Sequence, residues 1–183
     1  IDYLGDVPWD EFPASKLWYS KIKSRPSFKD LLKDNIRGIL PEKNYTNLVS
    51  DNGWLKIENN TLVNKDGNKI QLKGMSTHGI QWYGKYANEE MMKKLIDEWE
   101  SNLFRVAMYT NENGYIQNRS LKNEVIKIVD MAIKLDMYVI IDWHILHDNN
   151  PRTYEKEAIE FFDEMSKLYA DVPNVLYEIC NGQ

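Results

Sequence analysis

The residues best able to do chemistry in this chain stand at the ends of apolar runs. Ser76, Thr77 and His78 follow Leu72–Met75, Arg105 and Tyr109 lie on and at the end of Leu103–Tyr109, Trp143 and His144 close Tyr138–His144, and Asn181 follows Val175–Cys180. Hydroxyl, imidazole, guanidinium and amide groups gathered in this way can donate and accept hydrogen bonds and polarise a bound molecule. Trp82 and Tyr83, just after His78, add flat apolar faces with polar edges, which suit the faces of a pyranose ring. Each residue alone has a plainer explanation. A strand-end histidine is often only a packed, hydrogen-bonded side chain, and Trp82 and Tyr83 could simply cap a rim. Arg105 is harder to explain so, because a guanidinium inside an apolar strand is unfavourable unless carboxylates or other acceptors surround it.

The elements that must position these residues alternate. Val139, Ile140 and Ile141 show no polar alternation, so both faces of that strand should be buried, as in a parallel sheet covered by helices. Strands are expected at Leu72–Thr77, Leu103–Tyr109, Tyr138–His144 and Val175–Cys180, and helices at Asn88–Glu100, Leu121–Leu135 and Tyr154–Ala170. The helices carry one-sided stripes: Met91, Leu95 and Trp99; Leu121, Val125, Ile128, Ala132 and Leu135; Tyr154, Ala158, Phe161, Met165 and Leu168. Asn88 reads as an N-cap, and Pro173 bars continuation of the last helix. Ahead of them, Trp54–Glu58, Thr61–Val63 and Lys69–Leu72 read as short strands, with a turn at Asp66-Gly67. The reading is an α/β fold: a partial (β/α)8 barrel of four strands, about half a TIM barrel, preceded by a β-hairpin and a short α-helical N-terminal segment. In such barrels the C-terminal strand ends line the active site.

Composition narrows the function classes. A net charge of -5 argues against a broad nucleic-acid surface. Cys180 is the only cysteine, which excludes an intrachain disulfide and a cysteine-based metal site. No apolar run approaches the roughly 20 residues that span a bilayer, and a signal peptide is not expected within these residues. The chain opens on Ile1 rather than methionine, so a true start upstream is expected.

Residues 1–50 differ in texture. They hold Pro8, Pro13, Pro26 and Pro41, with helical stretches expected at Ala14–Lys23 and Ser27–Lys33. The wording Asp2-Tyr-Leu-Gly-Asp-Val-Pro-Trp9 and Trp18-Tyr-Ser-Lys-Ile-Lys-Ser-Arg-Pro-Ser-Phe28 resembles the C-terminal end of bacterial glutathione transferases. In that family the glutathione site lies mainly in an N-terminal thioredoxin-like domain, for which this sequence has no counterpart. The segment is expected to behave as an appendage to residues 53–183.

Residues 53–183 carry a second resemblance. Leu72-Lys-Gly-Met-Ser-Thr-His-Gly79, Gln81-Trp-Tyr-Gly84, Phe104-Arg-Val-Ala-Met-Tyr-Thr110, Val139-Ile-Ile-Asp-Trp-His144 and Tyr177-Glu-Ile-Cys-Asn181 are similar to the first half of a glycoside hydrolase family 5 endoglucanase, a secreted bacterial cellulase. The resemblance implies a (β/α)8 barrel, retaining hydrolysis of β-1,4-glucan and no cofactor. It places His78, Trp82 and Tyr83 in the glucose-binding cleft, Arg105 beside the nucleophile, Tyr109 and His144 at the centre, and Asn181 on the sugar's 2-hydroxyl. β-1,4-Glucan is then the expected partner, with neither nucleic acid nor membrane, and secretion the expected destination.

The family's Asn-Glu-Pro is here Asn181-Gly182-Gln183. Retaining hydrolysis needs two carboxylates about 5 Å apart. The acid/base is replaced by glycine, and the nucleophile would lie on a later strand. Glu178, Asp142 and Glu112 read as structural or as rim polar groups. Three readings stay open: an inactive fragment of an endoglucanase, a glycan-binding remnant without catalysis, and a glutathione-transferase remnant.

Overall fold

A computed structural model of the chain describes residues 48–181 and, ahead of them, residues 13, 14, 17 and 21, which are helical. Three of those four, 14, 17 and 21, fall within the first of the two expected N-terminal helices and residue 13 just ahead of it; the second, Ser27–Lys33, lies outside the described residues, as do Gly182 and Gln183. The chain divides into two compact units, Ile1–Asn44 and Tyr45–Gln183.

The second unit opens with a one-turn helix α1 (Val49–Asn52) and an antiparallel hairpin of β1 (Lys56–Glu58) and β2 (Thr61–Val63). The strand expected at Lys69–Leu72 is reduced to one bridge between Val63 and Lys69. Alternation follows: β3 (Gly74–Ser76), α2 (Ile80–Tyr83) with a 3-10 turn at Gly84–Tyr86, α3 (Glu89–Trp99), β4 (Leu103–Tyr109), α4 (Leu121–Lys134), β5 (Tyr138–His144), α5 (Glu155–Leu168) and β6 (Val175–Glu178). All four later strands are parallel, in the order β3-β4-β5-β6. Each strand thus neighbours the next in sequence through a helical crossover, the repeating unit of a partial TIM barrel.

Period-two geometry sorts the strand residues. Phe104, Val106 and Met108 of β4 and Val139, Ile141 and Trp143 of β5 face the helices, where they join Val125, Ile128 and Phe161 in the main core. Trp143 therefore belongs to packing rather than to the strand-end chemistry expected of it: it is 1% exposed, meets Tyr115 edge-on and packs at a tilt against Phe161. The opposite face carries Arg105, Ala107 and Tyr109 on β4 and Ile140, Asp142 and His144 on β5, in register across the pair.

Local signals account for the helix bounds. Asn88 Oδ1 accepts the Met91 amide at 3.0 Å, and Glu89 and Glu90 sit in the first turn of α3, where negative charge is favoured. The stripe on that helix is shifted from expectation. Met92 and Leu95 are its buried residues, whereas Trp99 is 68% exposed. Met91 and Trp99 instead line an apolar cavity of about 580 Å³ beside β3, together with Met75, Leu95 and Phe104. Leu168 of α5 is likewise exposed rather than packed. At the other end of the sheet a smaller cluster of Val49, Ile70 and Tyr138 closes the strand starts. There Val49 N donates to Asp136 O at 3.1 Å, Ser50 N to Asp136 Oδ1 at 3.0 Å, and Tyr138 Oη to Gly53 O at 2.7 Å.

Candidate functional site

The C-terminal strand ends bring together side chains separated by up to a hundred residues. Arg105 lies on the sheet's inner face with 23% of its side chain exposed. Its Nε and Nη2 donate to Glu178 Oε2 and Oε1 at 2.7 and 2.9 Å, a two-pronged pairing of planar groups. Nη2 also reaches Asp142 Oδ2 at 2.9 Å, and Nη1 donates to Ser76 Oγ at 3.0 Å. These are the acceptors a guanidinium in an apolar strand requires. Two consequences follow for proton affinity. The hydrogen bond from Arg105 holds the Glu178 carboxyl below the usual carboxylate range, and Glu178, before the nearby Asp142, raises the Arg105 guanidinium further.

Asp142 is fully buried, and burial pushes its carboxyl up against the opposing pull of His144 and Arg105. Its Oδ2 lies 2.7 Å from His144 Nδ1. In the tautomer with its hydrogen on Nδ1 the ring donates to Asp142, and Nε2 then faces Asn181 as an acceptor. Asn181 Nδ2 approaches that Nε2 at 3.4 Å, while Asn181 Oδ1 takes the Ile145 amide at 2.7 Å. Arg105, Asp142, His144 and Asn181 thus form one continuous polar chain across β4, β5 and the end of β6.

Above it lies a wall of rings. Tyr109 stacks on His144 with centroids 4.2 Å apart and planes within 8°. His78 sits 5.5 Å from Tyr109, 5.6 Å from Trp82 and 5.5 Å from Tyr83. Trp82 meets Tyr109 edge-on at 5.3 Å and keeps 42% of its surface exposed, and Tyr83 keeps 48%. Burial, then the charges of Asp142 and Glu112, raise the Tyr109 phenol, which keeps it a neutral hydrogen-bonding group. Such a wall can stack a sugar ring while the polar chain beneath reads its hydroxyls.

Trp143 is turned into the core, whereas His78, Trp82, Tyr83, Arg105, Tyr109, His144 and Asn181 fall in this one cluster. Two carboxylates set aside as structural or rim groups also belong to it. Asp142 stands two residues before His144 and so shares its face by strand period; Glu178 pairs in register with Asp142. That spacing is the signal by which they could have been found. Glu112 lies apart, with Oε1 bonded to His147 Nδ1 at 2.7 Å. Among the described residues, no group of three or more His, Cys, Asp or Glu side chains is arranged to hold a metal ion, and no helix is long and apolar enough to cross a membrane.

Comparison with known proteins gives a consistent picture. Residues 63–182 match the model of the cellulase family, glycosyl hydrolase family 5. The chain is 55% identical over 134 residues to an endoglucanase of Clostridium saccharobutylicum, and 53% identical over 133 residues to endoglucanase N of Pectobacterium atrosepticum. In each case the alignment covers 73% of this chain and 30% of the relative, so the chain spans about a third of the length of these curated relatives. In structure it resembles the catalytic domain of an endoglucanase of Thermobifida fusca, solved as a variant in complex with cellotetraose. There the TM-score is 0.70 and the identity 37%, over 73% of this chain and 44% of that one.

Proposed function

The chain belongs to the cellulase family, glycosyl hydrolase family 5, and from that membership we propose that it carries the first part of a retaining endo-β-1,4-glucanase, able to bind β-1,4-glucan at its strand ends but not to cut it with the carboxylates it holds there. Trp82, Tyr83 and His78 stack on or border glucosyl rings, Tyr109 and His144 line the centre, and Asn181 addresses a sugar 2-hydroxyl. Arg105 supplies positive charge beside the position of a nucleophile. No cofactor is called for, because acid and nucleophile chemistry suffices for glycosidic cleavage.

The observation that carries the reading is the state of the carboxylates. Retaining cleavage needs a proton donor and a nucleophile on opposite sides of the bond, about 5 Å apart. Asp142 is completely enclosed and cannot touch a substrate. Glu178 has both oxygens on Arg105 and is held ionised, the wrong state for an acid. The position after Asn181, where the family motif has the acid/base glutamate, is Gly182. Neither Asp142 nor Glu178 is therefore placed to protonate a leaving oxygen, while Arg105, His144 and Asn181 can orient and polarise a sugar.

Secretion is the destination in keeping with the family, and a polysaccharide rather than nucleic acid or membrane is the partner in keeping with the chain's negative balance and exposed rings. Residues 1–50 we read as a helical appendage of glutathione-transferase C-terminal type, on the wording of that segment alone; the chain should pass unretained over immobilised glutathione. The central test is a titration with cellotetraose followed by tryptophan fluorescence, beside an assay of reducing-sugar release from carboxymethylcellulose. A saturable fluorescence change that Trp82→Ala abolishes, with no sugar release, is the expected result. Substantial release, lost in His144→Ala, would show that another carboxylate has taken the acid's role.

A further inference from the structure

We infer that the glucan-binding surface continues past Trp82 into a second groove, between α2 and the loop that leads from β4 into α4, and that this groove takes further sugar units of a chain whose other end lies in the strand-end cleft. The inference rests on the glucan reading above. Trp82 is the wall shared by both spaces: it meets His78 and Tyr109 at the cleft and also lines the groove, a cavity of about 740 Å³.

The groove's chemistry selects its ligand. Its lining includes four side-chain amides, Gln81, Asn113, Asn118 and Asn123, together with the Ser120 hydroxyl. Amides and hydroxyls both donate and accept, as sugar hydroxyls do, whereas a phosphate or carboxylate ligand would call for clustered cations. One lysine, Lys85, and one glutamate, Glu124, are the charges lining it, and they offset each other. Ile80 and Leu121 add a nearly inaccessible apolar part to the lining, and polar and apolar surface are about evenly balanced in the groove, as they are on a sugar ring. Gln81 gives its Nε2 to Glu112 O at 3.3 Å, while its Oε1 has no hydrogen-bond partner. A buried acceptor in that state gains from a donor brought by a ligand after a small rotation of the amide. A neutral, amide-rich groove beside an exposed indole is a site for an uncharged polyhydroxylated chain.

The test compares cellobiose with cellohexaose by calorimetry on the whole chain. Asn123 is exposed on α4, where alanine favours the helix, and Asn113 has a φ of 62°, which glycine adopts without strain. Asn123→Ala and Asn113→Gly should therefore fold. Each should weaken cellohexaose by about five-fold, the effect of one lost hydrogen bond, and leave cellobiose unchanged. Trp82→Ala should weaken both sugars. If the two asparagine variants bind cellohexaose as the parent does, or weaken both sugars equally, the groove is not a glucan site although the cleft still is. Failure of the parent to bind either sugar would overturn the underlying glucan reading and the groove together.

Discussion

Glu178 and Asp142 face the same guanidinium yet respond to acid in opposite directions. The Glu178 carboxyl lies below its ordinary value of 4.5 because Arg105 donates to it. Its contribution to stability is complete above 4.5 and is lost as the pH falls through its lower folded value. Asp142 lies above its ordinary 3.8 because burial disfavours its charge. It favours the fold below 3.8 and loses that contribution as the pH rises through its raised folded value, so acid relieves the strain there while it breaks the bond at Glu178. Glu178→Gln should therefore be clearly less stable than the parent at neutral pH, with the difference shrinking well below 4.5. Urea midpoints for both proteins across that range are the measurement, and a difference independent of pH would contradict the pairing. The sequence made Arg105 conspicuous because charge inside an apolar run demands partners. It did not say which partners, because an acid on another strand is brought near only by register, and register across parallel strands is set by packing rather than by any local signal.

Among the elements, β4 and β5 were readable to the residue, since an unbroken apolar run has one consistent place in a sheet covered on both sides. The short strands were not. Lys69–Leu72 has the composition of a strand but only one bridging partner, and β3 keeps three of the six residues expected of it. Trp99 satisfies helical spacing yet stays exposed, because spacing defines a stripe and cannot say whether something lies opposite to cover it. β3 depends on Gly74 for a reason that spacing also hides. A Cβ at that position would lie 1.8 Å from the Leu103 carbonyl oxygen, a backbone atom of the paired strand. Nothing there can rotate aside. Gly74→Ala should lower Tm by at least about 5 °C and loosen β3 from β4, an effect visible as faster amide exchange in both strands. An unchanged Tm would mean that the strand pairing tolerates a shift the geometry forbids.

At the scale of the whole molecule, the described residues form a parallel sheet in which β3 and β6 each pair on one side only. Beside β3 lies the apolar cavity with Met75 51% and Trp99 68% exposed, and beyond β6 Ile179 is 73% exposed. Unpaired backbone groups next to apolar surface invite association. Sedimentation at rising concentration should show reversible self-association, and a single monomeric species throughout would mean that those edges are satisfied within one chain. The opposite end of the sheet is finished differently. Tyr138 has no exposed surface, gives its phenol hydrogen to Gly53 O, and burial moves its ionisation from 10.0 up to about 12. In alkali this makes it a late-yielding clasp: surface tyrosines lose their protons while Tyr138 keeps its own, and the fold gives up that contribution only as the pH climbs from 10.0 towards 12. Proton loss there would leave a phenolate facing a carbonyl oxygen in a dry corner, so the seam joining the hairpin to the sheet should part in the same step that ionises it.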